Sequence, residues 1–245
     1  MPRFFIAPSA VSGDTVTLTG ENARHASYSL RLAPGDRIKV CDQQTAYLCE
    51  MVSFDGETAT ARILSADPID TEPPFAARLY QALPKGDKLD TVIQKAVECG
   101  VSEIIPFESS RCIVRAKPEA EARKTERRQR IAEEAAKQSG RGIIPQVRWA
   151  GEYVEALNIA NQKELKIFLY ETGEREGLDA VLEANKSAKS VALITGPEGG
   201  FAPFEADMAR VVGLHVCSMG ERILRCETAP VVATTAVMYA TGNLS

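Results

Sequence analysis

The hydrophobic pattern of this chain changes near residue 70, and that change limits the folds that the chain can adopt. Before it, apolar and polar residues alternate in four short runs, 15–18, 37–40, 46–52 and 58–64. Successive side chains of a strand point to opposite faces, so a period of two predicts strands with one buried face. With turn residues at 34–36 and 55–57, the pattern predicts a small β-barrel or sandwich and one helix near residues 21–32.

An acidic, proline-rich segment at residues 67–74 shows no strand or helix periodicity and therefore predicts a domain boundary. The predicted domains are 1–70 and 76–245, with a linker at 71–75. Beyond it, strand and helix patterns alternate. The predicted strands are 79–83, 103–107, 166–170, 190–195 and 214–218, and the predicted helices are 87–99, 117–139, 150–160, 176–187, 203–212 and a last one after Thr228. Such alternation predicts an α/β domain whose largely parallel sheet binds ligands at the carboxyl ends of its strands.

Apolar runs and cysteines exclude several classes of protein. No run approaches the roughly 20 residues of a membrane span, and the apolar residues 4–7 are too few for a signal peptide. The six cysteines form no Cys-x-x-Cys pair, and only His25 and His215 could complete a metal site, so we expect no bound metal. Scattered thiols without an export signal fit a reducing compartment. We therefore expect a cytoplasmic protein with no membrane partner.

The positive charge of the chain is concentrated in one segment. The formal net charge of −4 argues against a nucleic-acid partner, because phosphate binding needs clustered cations. Between Arg111 and Arg148, however, 11 Lys or Arg residues stand against 5 Glu, a local charge of +6. A helix of this composition can bind phosphates, or it can be a solvated face with Glu–Arg pairs. The residues alone leave both interpretations open.

Two segments that directly follow predicted strands carry most of the chemical information. The first, residues 196–200, reads Gly-Pro-Glu-Gly-Gly, and its glycines allow a sharp turn and close approach to a ligand. It matches neither a Walker loop nor the dinucleotide fingerprint. The second, residues 219–230, leads into the last helix, with Thr228 as its predicted N-cap and Pro230 in its first turn. Either segment alone also fits an ordinary strand-to-helix connection.

Together, these segments resemble the motifs of the SPOUT superfamily of RNA methyltransferases, and most of all its RsmE family. Residues 196–200 match the family's Gly-Pro-Glu-Gly-Gly loop, and residues 220–229 match its Gly-x-Arg-Ile-Leu-Arg-x-Glu-Thr-Ala segment. Further matches cover nearly the whole chain: His25 with Arg31, Lys-Gly-Asp-Lys at 85–88, Lys-x-x-Glu-x-Gly-Val at 95–101 and Ala-x-x-Gln-Ser-x-Arg at 135–141. Met219 and Cys226 depart from the usual family residues without removing a charge or a loop glycine.

The resemblance implies a PUA-like RNA-binding β-barrel at 1–70, followed by a SPOUT-type α/β domain with a deep trefoil knot at 76–245, in a homodimer. It implies S-adenosylmethionine as the methyl donor and N3 of one uridine in 16S ribosomal RNA of the small subunit as the acceptor. The implied donor-binding residues are Tyr170, Thr195, Gly196, Pro197, Glu198, Gly199, Gly200, Met219, Gly220, Ile223, Leu224, Arg225, Thr228 and Ala229.

The chemistry of that reaction assigns further roles. A sulfonium methyl is already electrophilic, so the enzyme mainly aligns it with the acceptor and manages the acceptor's proton. Uracil N3 lies in the base-pairing edge, so its nucleotide must be unpaired or flipped out. Arg225 is predicted to stabilise the charge left as the proton departs. Glu198, or alternatively Glu227, is the candidate proton acceptor, although either carboxylate could instead bind backbone amides.

An RNA substrate makes exposed basic residues candidate phosphate contacts. The predicted set is Arg3, His25, Arg31, Lys85, Lys88, Arg111, Arg115 and Arg141, together with the helical segment 123–130. His25 fits a structural role equally well. Three other functions are alternatives: an assembly factor that binds RNA without catalysis, a methyltransferase for another RNA, and a Rossmann-type dehydrogenase. The dehydrogenase needs a glycine-rich turn after its first strand, and residues 83–87 do not supply one.

Overall fold

A computed structural model describes residues 1–244, apart from the side chain of Pro118. These residues divide into two compact units. Unit 1 comprises Met1–Glu72 and Ala136–Ile144, and unit 2 comprises Pro73–Ala135 and the chain from Pro145 onward. The division between residues 72 and 73 falls inside the predicted linker, whereas the membership of Ala136–Ile144 in unit 1 was not predicted. Ser245, the predicted end of the second domain, lies outside the described residues.

The described part of unit 1 forms a six-stranded sheet. Its strands are β1 (Arg3–Phe5), β2 (Val11–Ser12), β3 (Thr15–Thr19), β4 (Arg37–Cys41), β5 (Thr45–Asp55) and β6 (Thr58–Pro68), in the order β1-β4-β5-β6-β3-β2. The predicted alternation is confirmed, because Val16 and Leu18 on β3 and Ile38 and Val40 on β4 are fully buried. Strand β1 was not predicted, and it pairs in parallel with β4.

The helix predicted near residues 21–32 is shorter than expected. Helix α1 spans Gly20–Arg24 and continues as a wider, π-type turn over His25–Ser29. Ala23 and Ala26 face the core of unit 1. Shortly after this turn, Arg31 takes a left-handed conformation with φ of 53°. A right-handed helix cannot continue through such a residue.

A buried ion pair holds residues 136–144 in unit 1. The side chain of Arg141 is 8% exposed, and its Nε donates to Glu72 Oε2 at 3.1 Å. The same carboxylate accepts the backbone N–H groups of Gly142 and Ile143 at 2.9 and 3.2 Å. Arg141 was predicted to contact RNA phosphate, and this placement corrects that prediction, because its charge is buried and neutralised within the fold.

Unit 2 is the predicted α/β domain. Its strands are β7 (Ala76–Ala82), β8 (Glu103–Phe107), β9 (Gln146–Val147), β10 (Leu165–Leu169), β11 (Glu176–Gly177), β12 (Ser190–Thr195) and β13 (His215–Ser218), all paired in parallel in the order β11-β13-β10-β12-β7-β8-β9. The helices are α2 (Lys88–Glu98), α3 (Pro118–Ser139), α4 (Tyr153–Ala160), α5 (Leu178–Ala184), α6 (Pro203–Val211) and α7 (Ala229–Ala240), and the last four residues of α3 belong to unit 1.

The elements of unit 2 agree with the predicted ones to within a few residues. Two short strands are exceptions: β9 was not predicted, and β11 occupies the first two residues of the helix predicted at 176–187. Among residues 1–244, no helix combines the length and the apolar character that crossing a membrane requires. The trefoil knot stays a prediction, because strand order alone does not determine how the chain threads.

We expect Arg141→Met to lower the free energy of unfolding by about 2–4 kcal/mol, because the buried Glu72 carboxylate would lose its counter-charge while keeping its backbone donors. The matched control is Arg24→Met, which breaks the exposed pair with Glu57 and should cost less than about 1 kcal/mol. Urea denaturation of the two variants measures the difference, and equal costs would contradict the structural role given to Arg141.

Candidate active site

A cavity of about 360 Å³ opens at the carboxyl ends of β10, β12 and β13. Twelve of the fourteen predicted donor-binding residues line it: Tyr170, Thr195, Gly196, Pro197, Glu198, Gly200, Met219, Gly220, Ile223, Leu224, Arg225 and Ala229. Gly199 and Thr228 do not. Lys88 and Glu171, which were not among the predicted donor-binding residues, also line it. The structure thus brings segments more than 50 residues apart in the sequence to one edge of the sheet.

The buried side chain of Gln81, on β7, fixes the start of the glycine loop. Its Nε2 donates to the carbonyl oxygens of Gly196 at 3.0 Å and Ala82 at 2.8 Å, and its Oε1 accepts the hydroxyl of Thr195 at 2.7 Å. That hydroxyl lies 3.2 Å from the Tyr80 carbonyl as well. Sequence reasoning missed Gln81, although an amide inside an otherwise apolar strand was the available signal.

Two glycines around the cavity adopt conformations that side chains disfavour. Gly200 has φ of 61°, and a Cβ there would overlap the carboxylate of Glu171. Gly220 has φ of 94° with open space around it. At the end of the loop, Phe201 is buried with its ring 4.3 Å from that of Phe168. The loop backbone therefore approaches the Glu171 carboxylate closely at Gly200, and the buried ring of Phe201 fixes the end of the loop.

A buried carboxylate attaches this loop to its neighbours. Glu205, on α6, accepts the backbone N–H of Ala202 at 2.8 Å, and it accepts the N–H and the hydroxyl of Ser110, both at 2.9 Å. The hydroxyl of Tyr153 donates to the Glu205 carbonyl at 2.6 Å. Glu205 was not predicted, and its place three residues after the helix N-cap is the signal for a capping carboxylate.

The ammonium of Lys88 lies between two carboxylates of the cavity. Its Nζ donates to Glu198 Oε1 at 2.9 Å and lies 3.8 Å from Glu227 Oε2. Glu198 Oε1 also accepts the backbone N–H of Lys85 at 3.0 Å. The thiol of Cys226 donates to Glu227 at 3.2 Å. Both candidate proton acceptors are therefore already hydrogen-bonded within the fold.

These contacts determine the protonation states of the two carboxylates, the lysine and the thiol. Partial burial would raise the pKa of Glu198, but the hydrogen bonds from Lys88 and from backbone amides outweigh it and hold the pKa below its ordinary value. The hydrogen bond from Cys226 is the main cause that lowers the pKa of Glu227. The hydrogen bond to Glu198 raises the pKa of Lys88, and burial raises that of the Cys226 thiol to about 12. Near neutral pH, both carboxylates are ionised, the lysine is charged and the thiol is neutral.

Arg225 differs from these residues because its charge is available. It is exposed at the cavity, and its guanidinium makes no hydrogen bond or ion pair with the other described residues. Glu171 and Arg222 line the same cavity, and within residues 1–244 they too lack such partners. The site therefore presents charges of both signs to a ligand.

Helix α7 begins beside the cavity, as predicted, with Pro230 in its first turn. The predicted N-cap, Thr228, stands at the right position, but its hydroxyl makes no capping hydrogen bond. Instead, the carbonyl of Arg225 accepts the backbone N–H groups of Thr228 and Ala229 at 2.8 and 2.9 Å, which adds a turn before the helix. Thr228 is therefore the N-cap by position, as predicted, but its hydroxyl does not cap the helix.

The predicted RNA contacts separate into available and engaged cations. Within the described part of the chain, His25, Arg31 and Lys85 have exposed side chains that form no hydrogen bond or ion pair. The ring of His25 lies edge-on to Phe4, with centroids 6.0 Å apart. These three stay candidates for phosphate.

Three others make contacts within their own unit. Arg3 donates to the Cys41 sulfur at 3.8 Å, and Arg111 donates to the carbonyl of Gly199 at 3.1 Å. Arg115 pairs with Glu108 at 3.3 Å. Arg111 keeps most of its charge available, because a carbonyl does not neutralise it, whereas Arg115 shares its charge with a carboxylate. No cluster of His, Cys, Asp and Glu among residues 1–244 is arranged to hold a metal ion.

Two sequence families match the chain and together cover both units. Residues 71–238 match the family described as the RNA methyltransferase domain. Residues 18–64 match the family described as the RNA methyltransferase PUA domain. The first match covers more than half of the chain and contains the whole cavity.

Individual relatives agree with the family matches. The chain is 30% identical to ribosomal RNA small subunit methyltransferase E of Bacillus subtilis, over 98% of this chain and 97% of that protein. It is 33% identical to the protein of the same name from Synechocystis, over 94% of this chain and 75% of the relative. Among solved structures, it resembles ribosomal RNA small subunit methyltransferase E of Neisseria gonorrhoeae bound to S-adenosylmethionine, with a TM-score of 0.85, 33% identity and coverage of 98% and 97%.

We expect Gln81→Leu to lower the free energy of unfolding by about 1–3 kcal/mol, because the carbonyl of Gly196 would lose its buried donor. The control is Ser102→Ala, which removes a hydrogen bond to the carbonyl of Ala77 at an exposed position and should cost less than about 0.5 kcal/mol. Urea denaturation tests both variants. If Gln81→Leu proved no more costly than the control, the loop would not depend on this amide.

Proposed function

The chain belongs to the ribosomal RNA small subunit methyltransferase E family, and from that membership we propose that it methylates N3 of a uridine in 16S ribosomal RNA, with S-adenosylmethionine as donor. The observation that carries the proposal is the single cavity in which twelve predicted donor-binding residues meet, with an unpaired arginine among them. The relatives' name supports the small-subunit substrate, and the uridine and its N3 atom rest on the motif resemblance.

The cavity fits a donor of this size and chemistry. Its volume of about 360 Å³ lies within the usual range of small-molecule sites, about 300–1,000 Å³. Gly200 lets the loop backbone lie against the Glu171 carboxylate, closer than a side chain would allow, and Gly220 has open space beside it. We assign donor binding to the backbone of the loop at 195–200, to Tyr170 and to the segment 219–229. When bound, S-adenosylmethionine supplies an electrophilic methyl group on a positively charged sulfur.

Arg225 is the catalytic group in this proposal. Its guanidinium is exposed at the cavity and free of ion pairs with described residues, so it can donate to the oxygen atoms beside N3 of a flipped-out uracil. Loss of the N3 proton leaves charge that those oxygens share. A guanidinium fixed next to them stabilises that charge without having to reorganise.

Glu198 and Glu227 suit a supporting role better than that of a general base. Both carboxylates have pKa values held below the ordinary range, and both lie within 4 Å of the Lys88 ammonium. A base works best when its pKa is near the working pH. Stabilisation of the uracil anion by Arg225 thus supplies the main chemical assistance, and the proton leaves to a weak acceptor or to water.

The proposed substrate also indicates where the protein acts. Small ribosomal subunits occupy the cytoplasm, and the six cysteines are all free thiols, as a reducing compartment maintains them. The exposed Arg31 of unit 1 and the exposed Lys85 and Arg111 of unit 2 supply charge for phosphate contacts in each unit.

The protein should transfer a labelled methyl group from S-adenosylmethionine to small ribosomal subunits that lack their native methylations, and nucleoside analysis should find 3-methyluridine. Arg225→Ala should lower kcat by about 100-fold or more, the scale expected when one transition-state donor is lost. Arg225→Lys keeps the charge but not the planar fork, so it should recover only part of the activity.

Other outcomes of the same assay have distinct meanings. A labelled product in another RNA or at another atom would keep the enzyme class and overturn the substrate. Donor binding without transfer to any RNA would favour an assembly factor that has lost catalysis. Full activity in Arg225→Ala would remove this residue from the mechanism.

We also propose that the protein is a homodimer that associates through α7. This helix buries Ala233 and Val237 in unit 2, while Val232 and Tyr239 on its other side are 42% and 78% exposed. Residues spaced by seven lie on one face of a helix, so these two form one apolar strip. An exposed strip of this kind is characteristic of an association surface.

Tyr239→Glu should shift the protein from dimer to monomer, because a carboxylate in the centre of an apolar interface would lose its hydration. The control, Val211→Glu, changes a side chain that is 87% exposed at the end of another helix and should leave the dimer intact. Light scattering coupled to size-exclusion chromatography gives the mass of each. A monomeric wild-type protein, or an unchanged dimer in Tyr239→Glu, would rule out this interface.

A further inference from the structure

We propose that Lys88 is a positioning residue that joins the two donor-binding loops, and that it does not bind RNA phosphate. The inference rests on the proposed function, since it assigns a role within that site. Lys88 is the first residue of helix α2, which lies outside both loops. Its ammonium nevertheless lies 2.9 Å from Glu198, after β12, and 3.8 Å from Glu227, after β13.

The two carboxylates need a cation between them. Both lie within 4 Å of the same Nζ atom, so each is close to the other's negative charge. Like charges at such separations repel, and an ammonium between them turns that repulsion into two attractions. The side chains of Lys88, Glu198 and Glu227 are only 36%, 28% and 24% exposed, so water screens them less than a fully exposed surface pair.

The same arrangement disfavours a phosphate contact. One ammonium and two carboxylates give the cluster a net charge of −1, which repels a phosphate group. The Nζ atom already donates to Glu198 and has the Cys226 sulfur at 3.9 Å. A phosphate would have to displace these partners.

Lys85 provides a matched comparison within the same Lys-Gly-Asp-Lys sequence. Its backbone N–H donates to Glu198, but its side chain is exposed and forms no hydrogen bond or ion pair with the described residues. Its ammonium therefore has no competing partner among the described residues and can bind a phosphate, whereas that of Lys88 is already paired with a carboxylate. Two lysines three residues apart thus receive different roles.

Donor affinity should respond to Lys88 because both joined loops line the cavity. Without the ammonium, Glu198 and Glu227 repel each other, and their loops separate across the space that the donor fills. Lys88→Met should weaken S-adenosylmethionine binding by about tenfold or more, measured by calorimetry without RNA. Lys88→Arg should restore binding to near the wild-type value, and Lys85→Met should leave donor binding unchanged.

RNA binding should show the opposite pattern. Lys85→Met should reduce the slope of log affinity against log salt by about one, as loss of one phosphate contact does, whereas Lys88→Met should leave that slope unchanged. Unchanged donor binding in Lys88→Met, together with a reduced slope, would overturn the proposal and make Lys88 a phosphate contact. If the wild-type protein failed to bind S-adenosylmethionine, the proposed function itself would fail instead.

The pH dependence of donor binding separates positioning from general loss of structure. Lys88 helps to keep the pKa values of Glu198 and Glu227 low, so its removal raises them. Donor affinity of Lys88→Met should therefore recover in part on mild acidification, because protonation of one carboxylate removes the repulsion, whereas the wild-type protein and Lys88→Arg, whose carboxylates stay ionised there, should gain no affinity. Lys88→Gln, which keeps a donor without the charge, replaces Lys88→Met if melting curves show that the latter is unfolded. A profile unchanged in the uncharged variant would contradict the proposal.

Discussion

Parallel pairing of β12 between β7 and β10 is the constraint on which the rest of the site depends. The pairing places Thr195 beside Gln81 on one side and aligns Phe168 with Ile194 on the other. Because parallel strands end at the same edge, the loops after β10, β12 and β13 must emerge together there. The cavity follows from strand order, and the side chains then determine its shape and charge.

Two kinds of interaction turn these three loops into one site. Gln81 satisfies buried backbone groups where the glycine loop leaves β12, and a missing partner there would be costly because water cannot replace it. Lys88 then balances carboxylates from two different loops. Gln81 lies on β7 and Lys88 on α2, outside the two loops at 196–200 and 219–229. Residues of those loops line the cavity, while residues on other elements hold the loops in place.

Sequence patterns predicted the elements well because burial follows local periodicity. The five longer strands of unit 2 and the start of α7 were found within a few residues, since apolar runs, prolines and glycines act locally. Patterns could not find β1, whose three residues depend on pairing with β4, or the Arg141–Glu72 pair, whose partners are 69 residues apart. The place of the Lys88 ammonium between two carboxylates could not be predicted for the same reason. A lysine in a motif gives no sign of the carboxylates that surround it after folding.

The basic segment that first suggested an RNA partner contributes less free charge than its composition indicates. In the helical part, Arg127 pairs with Asp90 at 2.6 Å, and Arg128 pairs with Glu121 in a largely buried contact. A cation that already neutralises a carboxylate releases few counterions when a phosphate approaches, so it adds little to RNA affinity. The charge available around the cavity comes instead from scattered residues such as Arg222 and Arg225. Local net charge is therefore a weaker guide to an RNA surface than the list of cations that folding leaves unpaired.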